Sequence, residues 1–182
     1  NRYIMKQTVI AIVGPSGSGK TTLAEHLKAV ANIPTIVSWT TREMRKGEKS
    51  GREHWFANYT AVPPHEFMIA HTIFGGNHYW VTHKDIEDAG PVVTYVIDER
   101  GLLMLQEHTD KYNVVPILIQ RDEDKLIKAV GINRVKRDLG RTQLDKTAYK
   151  YIITNNGKLT EFLEEGMDVV AQIIQIYDNT NN

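Results

Sequence analysis

The chain has 182 residues, no cysteine, and 22 basic against 22 acidic side chains. That length suits one α/β unit with room for small insertions, and 41% hydrophobic residues supply a core. The charge balance argues against a general nucleic-acid or anionic-membrane binder, the lack of cysteine excludes disulfides and thiolate zinc sites, and no apolar run reaches the length of a membrane span.

No secretory leader pattern is visible, and a cytoplasmic protein is expected. Residues 1–4 precede Met5 and are left aside, and the polar end at 178–182 is expected to fray. Residues 8–13 then form an apolar run of strand length. Gly14, Pro15, Ser16, Gly17, Ser18, Gly19, Lys20, Thr21 and Thr22 follow, fitting G-x-x-x-x-G-K-[ST], and residues 20–31 carry apolar side chains at helical spacing. Strand, loop, helix is the context a phosphate-binding loop requires. The glycines let backbone N–H groups converge on an anion, and the helix start adds the positive end of its dipole. In such a loop Lys20 reaches the β- and γ-phosphates of a nucleoside triphosphate, and the Thr21 hydroxyl holds Mg²⁺. An ordinary glycine-rich turn would not combine the Lys-Thr pair with both flanks.

Further strands are predicted at 35–38, 92–97, 114–120 and 150–154, with helices at 83–89, 100–109, 122–129 and 158–177. This alternation predicts a mainly parallel sheet covered on both faces, a three-layer α/β fold. Leu159, Phe162, Leu163, Met167, Val170, Ile173 and Ile174 make an apolar stripe that reads as core packing. Residues 39–82 break the rhythm with a basic loop, Pro63-Pro64, and a hairpin in which 68–74 and 78–82 flank Gly75, Gly76 and Asn77. The expected layout is a single domain: core 5–37, 84–129 and 144–178, an inserted lobe 38–83, and a short lid 130–143.

The inserted lobe opens with five basic residues between Arg42 and Arg52 against two acids. Most charge runs are solvated surface. Here Gly47 and Gly51 imply defined turns, and Trp55 and Phe56 anchor the end of the loop. Arg42 and Arg45, three apart, can fork onto a phosphate monoester, with hydroxyls at Ser38, Thr40 and Thr41 as neutral donors. Asp98 ends a buried-looking strand, where it can hold Mg²⁺ through water, contact the acceptor, or cap the next helix. Arg134, Arg137 and Arg141 fall at i, i+3 and i+7, on one helix face, with few acids between them. His71, His78 and His83 show no metal-ligand spacing.

Ser38-x-Thr40-Thr41-Arg42-x-x-Arg45-x-Gly47-Glu48-x-x-Gly51, followed by Phe56, closely resembles the guanylate kinase signature. Phe74 to Tyr79 resembles that family's Gly-Asn-Tyr-Tyr hairpin, Asp98 to Gly101 its Asp-x-x-Gly turn, and Tyr151 to Asn156 its strand ending in Asn-Asp. Order and spacing hold from Ile10 to about Leu163. The resemblance implies a P-loop kinase fold with a monophosphate-binding lobe and a lid, transferring the γ-phosphate of ATP to GMP with Mg²⁺. It implies that Arg42, Arg45 and Tyr79 bind the acceptor phosphate, with Ser38 near the base, Asn155 beside the ATP site, and lid arginines such as Arg134 and Arg137 acting on the transferring group. The expected partners are small molecules, with no nucleic acid or membrane, and the protein is expected to be a monomer or homodimer. The chain departs from the family at His54, where the family has tyrosine but histidine can still donate to phosphate. It departs at Ala70, which replaces the glutamate that reads guanine and leaves Thr72, on the same strand face, to compensate. Trp80 and Val81 replace a glycine and a small or hydroxyl residue, and the short lid lacks the Gly-Arg-Gly pattern. Two rivals remain: a kinase for another phosphate monoester such as a ribose bisphosphate, and a non-catalytic binding module, against which the intact phosphate loop argues.

Overall fold

The computed structural model describes residues 6–179. Residues 1–5 and 180–182, including most of the end expected to fray, lie outside the described residues. In chain order the elements are β1 (Gln7–Val13), α1 (Lys20–Ala31), β2 (Trp39–Thr40), β3 (Trp55–Phe56), β4 (Met68–Phe74), β5 (Asn77–Thr82) and α2 (His83–Glu87). After these come β6 (Val92–Val96), α3 (Glu99–Gln106), β7 (Tyr112–Gln120), α4 (Glu123–Val130), α5 (Ile132–Leu139), β8 (Tyr151–Thr154) and α6 (Leu159–Asn179).

Strands β6, β1, β7 and β8 form, in that order, a wholly parallel sheet. Strand β1 lies inside it and reads as a continuous apolar run because both its faces are covered. Alternation divides that run: Val9, Ala11 and Val13 face one core with Leu102 and Leu105 of α3, while Ile10 and Ile12 face another with Leu23 and Leu27 of α1 and Phe162 and Ile173 of α6. All the β1 core residues from Val9 to Val13 are fully buried. Two cores on either side of one sheet make the three-layer α/β arrangement. Pro116 is tolerated inside β7 because it lies opposite the residues just before β8, where its carbonyl accepts from Lys150 N and no strand partner awaits a proline N–H.

The strand expected at 35–38 does not form. Residues 34–36 touch the edge of β6 through a single parallel bridge, Thr35 to Thr94, and the bonds Ile36 N to Thr94 O and Thr94 N to Pro34 O. Pro34 supplies no N–H to extend that ladder, and the chain turns away into the inserted segment at Ser38.

That segment builds a second, four-stranded sheet in the order β3-β2-β5-β4. Strands β4 and β5 are antiparallel with Phe74 opposite Asn77, so the turn is the two residues Gly75 and Gly76, at φ 57° and 76°. Two consecutive positive φ values are what a tight hairpin demands, and glycine meets them without strain. Trp39 links the sheet together, with its ring 5.7 Å from Trp55 and 6.2 Å from Trp80, and its indole N–H bonded to Asp85 at 3.1 Å. Ile69, Ala70 and Val81 on this sheet belong to the same core as Leu102 and Leu105, which seats the lobe on the parallel sheet.

Candidate active site

The loop between β1 and α1 closes around its own backbone. Gly19, at φ 110°, caps α1, and a Cβ there would stand 2.7 Å from Asn155 Nδ2 and 3.0 Å from the Phe162 ring. A Cβ on Gly14 would meet Ile119 O at 2.3 Å. These contacts, more than turn flexibility alone, require glycine. The loop is held from outside by Asn155 Nδ2 donating to Ser18 O at 2.8 Å and Arg121 Nη1 donating to Gly17 O at 2.8 Å. Lys20 Nζ arches back to Gly14 O and Pro15 O at 2.7 and 2.9 Å, which fixes the ammonium above the loop before any ligand arrives.

Around this loop lies a cavity of about 760 Å³, whose walls include Gly14, Ser16, Gly17, Gly19, Lys20, Thr21, Thr22 and Asn155. Pro15 and Ser18 shape the loop from behind: Ser18 is fully buried and its N–H bonds Pro15 O at 3.1 Å. Burial, then the nearby Arg141 guanidinium, pulls the Lys20 ammonium down to about 8. A phosphate anion reverses that penalty, so anion binding draws the lysine back to its charged form. We therefore expect kcat/KM for ATP to fall as the pH rises through about 8, where the free enzyme loses this cation. A profile flat to pH 10 would contradict it.

A second cavity, of about 1040 Å³, opens between the two sheets. Ser38, Arg42, Arg45, His54, Thr72, Tyr79 and Asp98 all line it, so residues spread over sixty positions of sequence converge. Arg42 is not a free cation: its Nη1 and Nη2 fork onto Glu48 at 3.0 and 2.9 Å, Nη1 also donates to Glu43 O, and the guanidinium sits 5.4 Å above the Phe56 ring. Glu48 also accepts from Arg45 N at 2.7 Å, and the bond from Arg42 holds its carboxyl down at about 2. Ser38 Oγ and His54 Nδ1 are 2.9 Å apart, and the His54 ring meets Tyr79 edge-on at 5.5 Å. Burial and then Arg42 push the His54 imidazole below its ordinary value, so it is neutral near pH 7. Ala70 lines the same cavity beside Thr72, and Val81 opposite it is fully buried.

The two cavities share walls at Thr21, His54, Asp98, Arg134 and Arg141. Asp98 also caps α3, accepting from Gly101 N at 2.7 Å, so both readings of this residue coexist. Thr21 and Asp98 are hard oxygen donors at the junction. They suit Mg²⁺, which keeps several waters and needs only one or two protein ligands beside substrate phosphates. Among the described residues no group of three or more His, Cys, Asp or Glu side chains could hold a metal ion. His71 and His78 pair with each other at 2.8 Å, and His83 with Tyr112 at 3.0 Å.

Of the arginines on α5 and beyond, Arg134 and Arg141 line both cavities. Arg137 lines neither; it is 46% exposed and paired with Asp138. Sequence spacing placed all three on one face. Helix α5 ends at Leu139; Arg137 in its last turn points outward, and Arg141, in the turn beyond, lies inward. Arg121 and Asp138, which both bond the phosphate loop, are not singled out by the sequence, and Arg141 and Glu48 appear in it only within the arginine row and the signature, without a role of their own. Arg121 follows directly on β7, at the carboxyl ends of the parallel strands where the loops gather, a position that could have flagged it.

A parallel sheet, a glycine-rich loop with its lysine, and a second basic cavity meeting it define a phosphate-transferring P-loop protein. A sequence model described as guanylate kinase matches residues 5–172, and the chain belongs to the guanylate kinase family. It is 29% identical to the guanylate kinase of Anaplasma phagocytophilum over 92% of this chain and 85% of that protein. It is 28% identical to the guanylate kinase of Deinococcus radiodurans over 81% of this chain and 68% of that protein. The crystal structure of the Anaplasma phagocytophilum guanylate kinase superposes with a TM-score of 0.64 at 26% identity, over 94% of this chain and 86% of that one. Among the described residues no helix is long and apolar enough to cross a membrane.

Proposed function

We propose that this chain transfers the γ-phosphoryl group of ATP to the phosphate of GMP or dGMP, giving ADP and GDP or dGDP. The observation that carries the proposal is the junction: Thr21, Asp98, Arg134 and Arg141 belong to the walls of both cavities, so a donor phosphate on the loop and an acceptor phosphate near Arg42 meet there. The guanylate kinase names of the relatives supply the acceptor's identity.

In this reading residues 38–83 are the monophosphate-binding lobe and 130–143 the lid. The acceptor phosphate is already ionised, so no general base is needed, and the work is positioning and charge neutralisation. The loop amides and Lys20 hold the donor phosphates. Thr21, with Asp98 through water, would hold Mg²⁺, which supplies neutralising charge to the transferring group. Arg42, Arg45, Tyr79 and His54 take the acceptor phosphate, and Ser38 and Thr72 flank the base. In this reading the enzyme acts in the cytoplasm on small-molecule substrates, as a monomer or homodimer.

The test is an ADP-release assay across the nucleoside monophosphates and ribose phosphates. GMP and dGMP are expected to be the preferred acceptors; preference for a ribose phosphate, or no turnover, would overturn the proposal. Because Ala70 offers no acceptor to guanine N1–H and N2–H₂, discrimination against AMP should be incomplete. Ala70→Glu should raise the GMP-to-AMP ratio of kcat/KM about tenfold, or ~1.4 kcal/mol. An unchanged ratio would mean that Ser38, Thr72 or Asp98 already reads the guanine edge.

A further inference from the structure

Asp138 is the one charged side chain in the buried set of the described residues, at 5% exposure, and it has no part in the mechanism above. Its two oxygens serve different elements. Oδ2 accepts from Ser16 N, in the phosphate loop, at 2.7 Å. Oδ1 faces Arg137 Nη2 at 3.4 Å and Arg141 Nη2 at 3.5 Å. The residue's own carbonyl accepts from Gln143 Nε2 at 3.3 Å, which ties the turn after α5 to the same point. Burial alone would push this carboxyl up, but the bonds from Ser16 and the two guanidinium groups outweigh it and keep it ionised. A carboxylate buried this deeply is tolerated only when paired on every side, and here the pairing joins two segments 122 residues apart.

We propose that Asp138 is the positioning residue for Arg141: it pins that lid arginine to the rim of the phosphate loop, at the junction of the two cavities. The inference rests on the kinase reading above. Ser16 precedes the amides at the opening of α1, so the bond to Asp138 leaves those free for phosphate. Arg141 lies past Gly140, in the turn beyond α5, where its own N–H bonds Asp138 O at 3.1 Å; that bond fixes its backbone within the lid, and its guanidinium needs a separate reference to the loop. The carboxylate supplies one, and its charge also offsets the repulsion between Arg141 and Lys20. Arg137, on the same oxygen but outside both cavities, completes the pairing of the carboxylate.

The experiment is a double-mutant cycle in steady-state kinetics with ATP and GMP: wild type, Asp138→Asn, Arg141→Ala and the double variant. Asp138→Asn should lower kcat on the order of thirtyfold with KM for ATP changed less than about threefold, and it should cost nothing further once Arg141 is gone. Asp138→Glu, which restores the charge, should recover part of kcat, and it keeps the test open if the asparagine variant folds poorly. Losses that multiply in the double variant, an unchanged kcat, or an effect confined to KM would each overturn the role, as would tighter ATP binding by Asp138→Asn with normal turnover. Wild-type turnover of GMP in the same assay separates the two readings: its absence overturns the kinase proposal, whereas turnover with multiplying losses overturns only this one.

Discussion

Lys20→Ala should lower kcat at least a hundredfold, about 2.7 kcal/mol of barrier, while the melting temperature holds or rises slightly. The two halves of that expectation come from the same geometry. The ammonium is fixed over the loop by Gly14 O and Pro15 O, so it acts on the transferring phosphates without first being reorganised. Holding it there costs the empty protein, since burial and Arg141 depress its affinity for a proton to about 8. A lysine with a depressed folded-state value disfavours folding most below that pH, where it is charged in both states, and the penalty fades as the pH rises from about 8 toward its ordinary 10.5. Removing it near neutrality therefore removes an unfavourable burial along with two hydrogen bonds. Calorimetry and single-turnover kinetics check both parts. Normal turnover with a normal melting curve would end the assignment of Lys20, and a collapse of the melting temperature would mean the lysine holds the loop together.

How far the sequence carries depends on the range over which each feature is encoded. The phosphate loop is legible because nine consecutive residues and their two flanks specify one local geometry. Strand β1 and the α6 stripe from Phe162 to Ile174 are legible because burial on both faces or one stripe imposes a simple period, whereas Leu159, at the first turn of α6, is exposed and takes no part in the core. The 35–38 strand misleads because its apolar residues satisfy the period, while Pro34 and the exit at Ser38 limit it to a bridge. The basic loop announces Arg42 and Arg45 but not that Glu48 would hold Arg42 in a fork, since composition counts charges without pairing them. The lid is read least well. Heptad arithmetic puts Arg134, Arg137 and Arg141 on one face, yet helix α5 stops at Leu139, and the turn after it decides which guanidinium points inward. In the sequence Asp138 is simply one acid next to the lid's cations. Its partner, Ser16 N, is a backbone group on the other side of the fold, and nothing in local sequence could reveal it.

Arg42→Ala should lower kcat/KM for GMP at least a hundredfold and leave ATP affinity within about threefold. Arg42 is only 12% exposed, lies over Phe56, and lines the second cavity alone, away from the phosphate loop. Its loss has two consequences. The acceptor phosphate loses a planar, two-pronged donor that lysine or a hydroxyl cannot imitate. Glu48 is also left beside that phosphate without its counter-ion, so an attraction is replaced by a repulsion. Glu48→Gln tests the division between them. The amide keeps an oxygen for Arg45 N but gives up the charge that holds Arg42 in its fork, so the loop should loosen with a smaller loss, on the order of tenfold, in GMP use. Because the Glu48 carboxyl sits at about 2 in the folded protein, its contribution to loop order is present in full above its ordinary 4.5 and is lost only as the pH falls toward 2. The acceptor profile of the wild type should therefore show no limb from Glu48 between pH 5 and 9. If Arg42→Ala weakened ATP and spared GMP, the donor and acceptor cavities would have to be exchanged; if Glu48→Gln proved as damaging as Arg42→Ala, the carboxylate itself, rather than the arginine it presents, would be organising the acceptor.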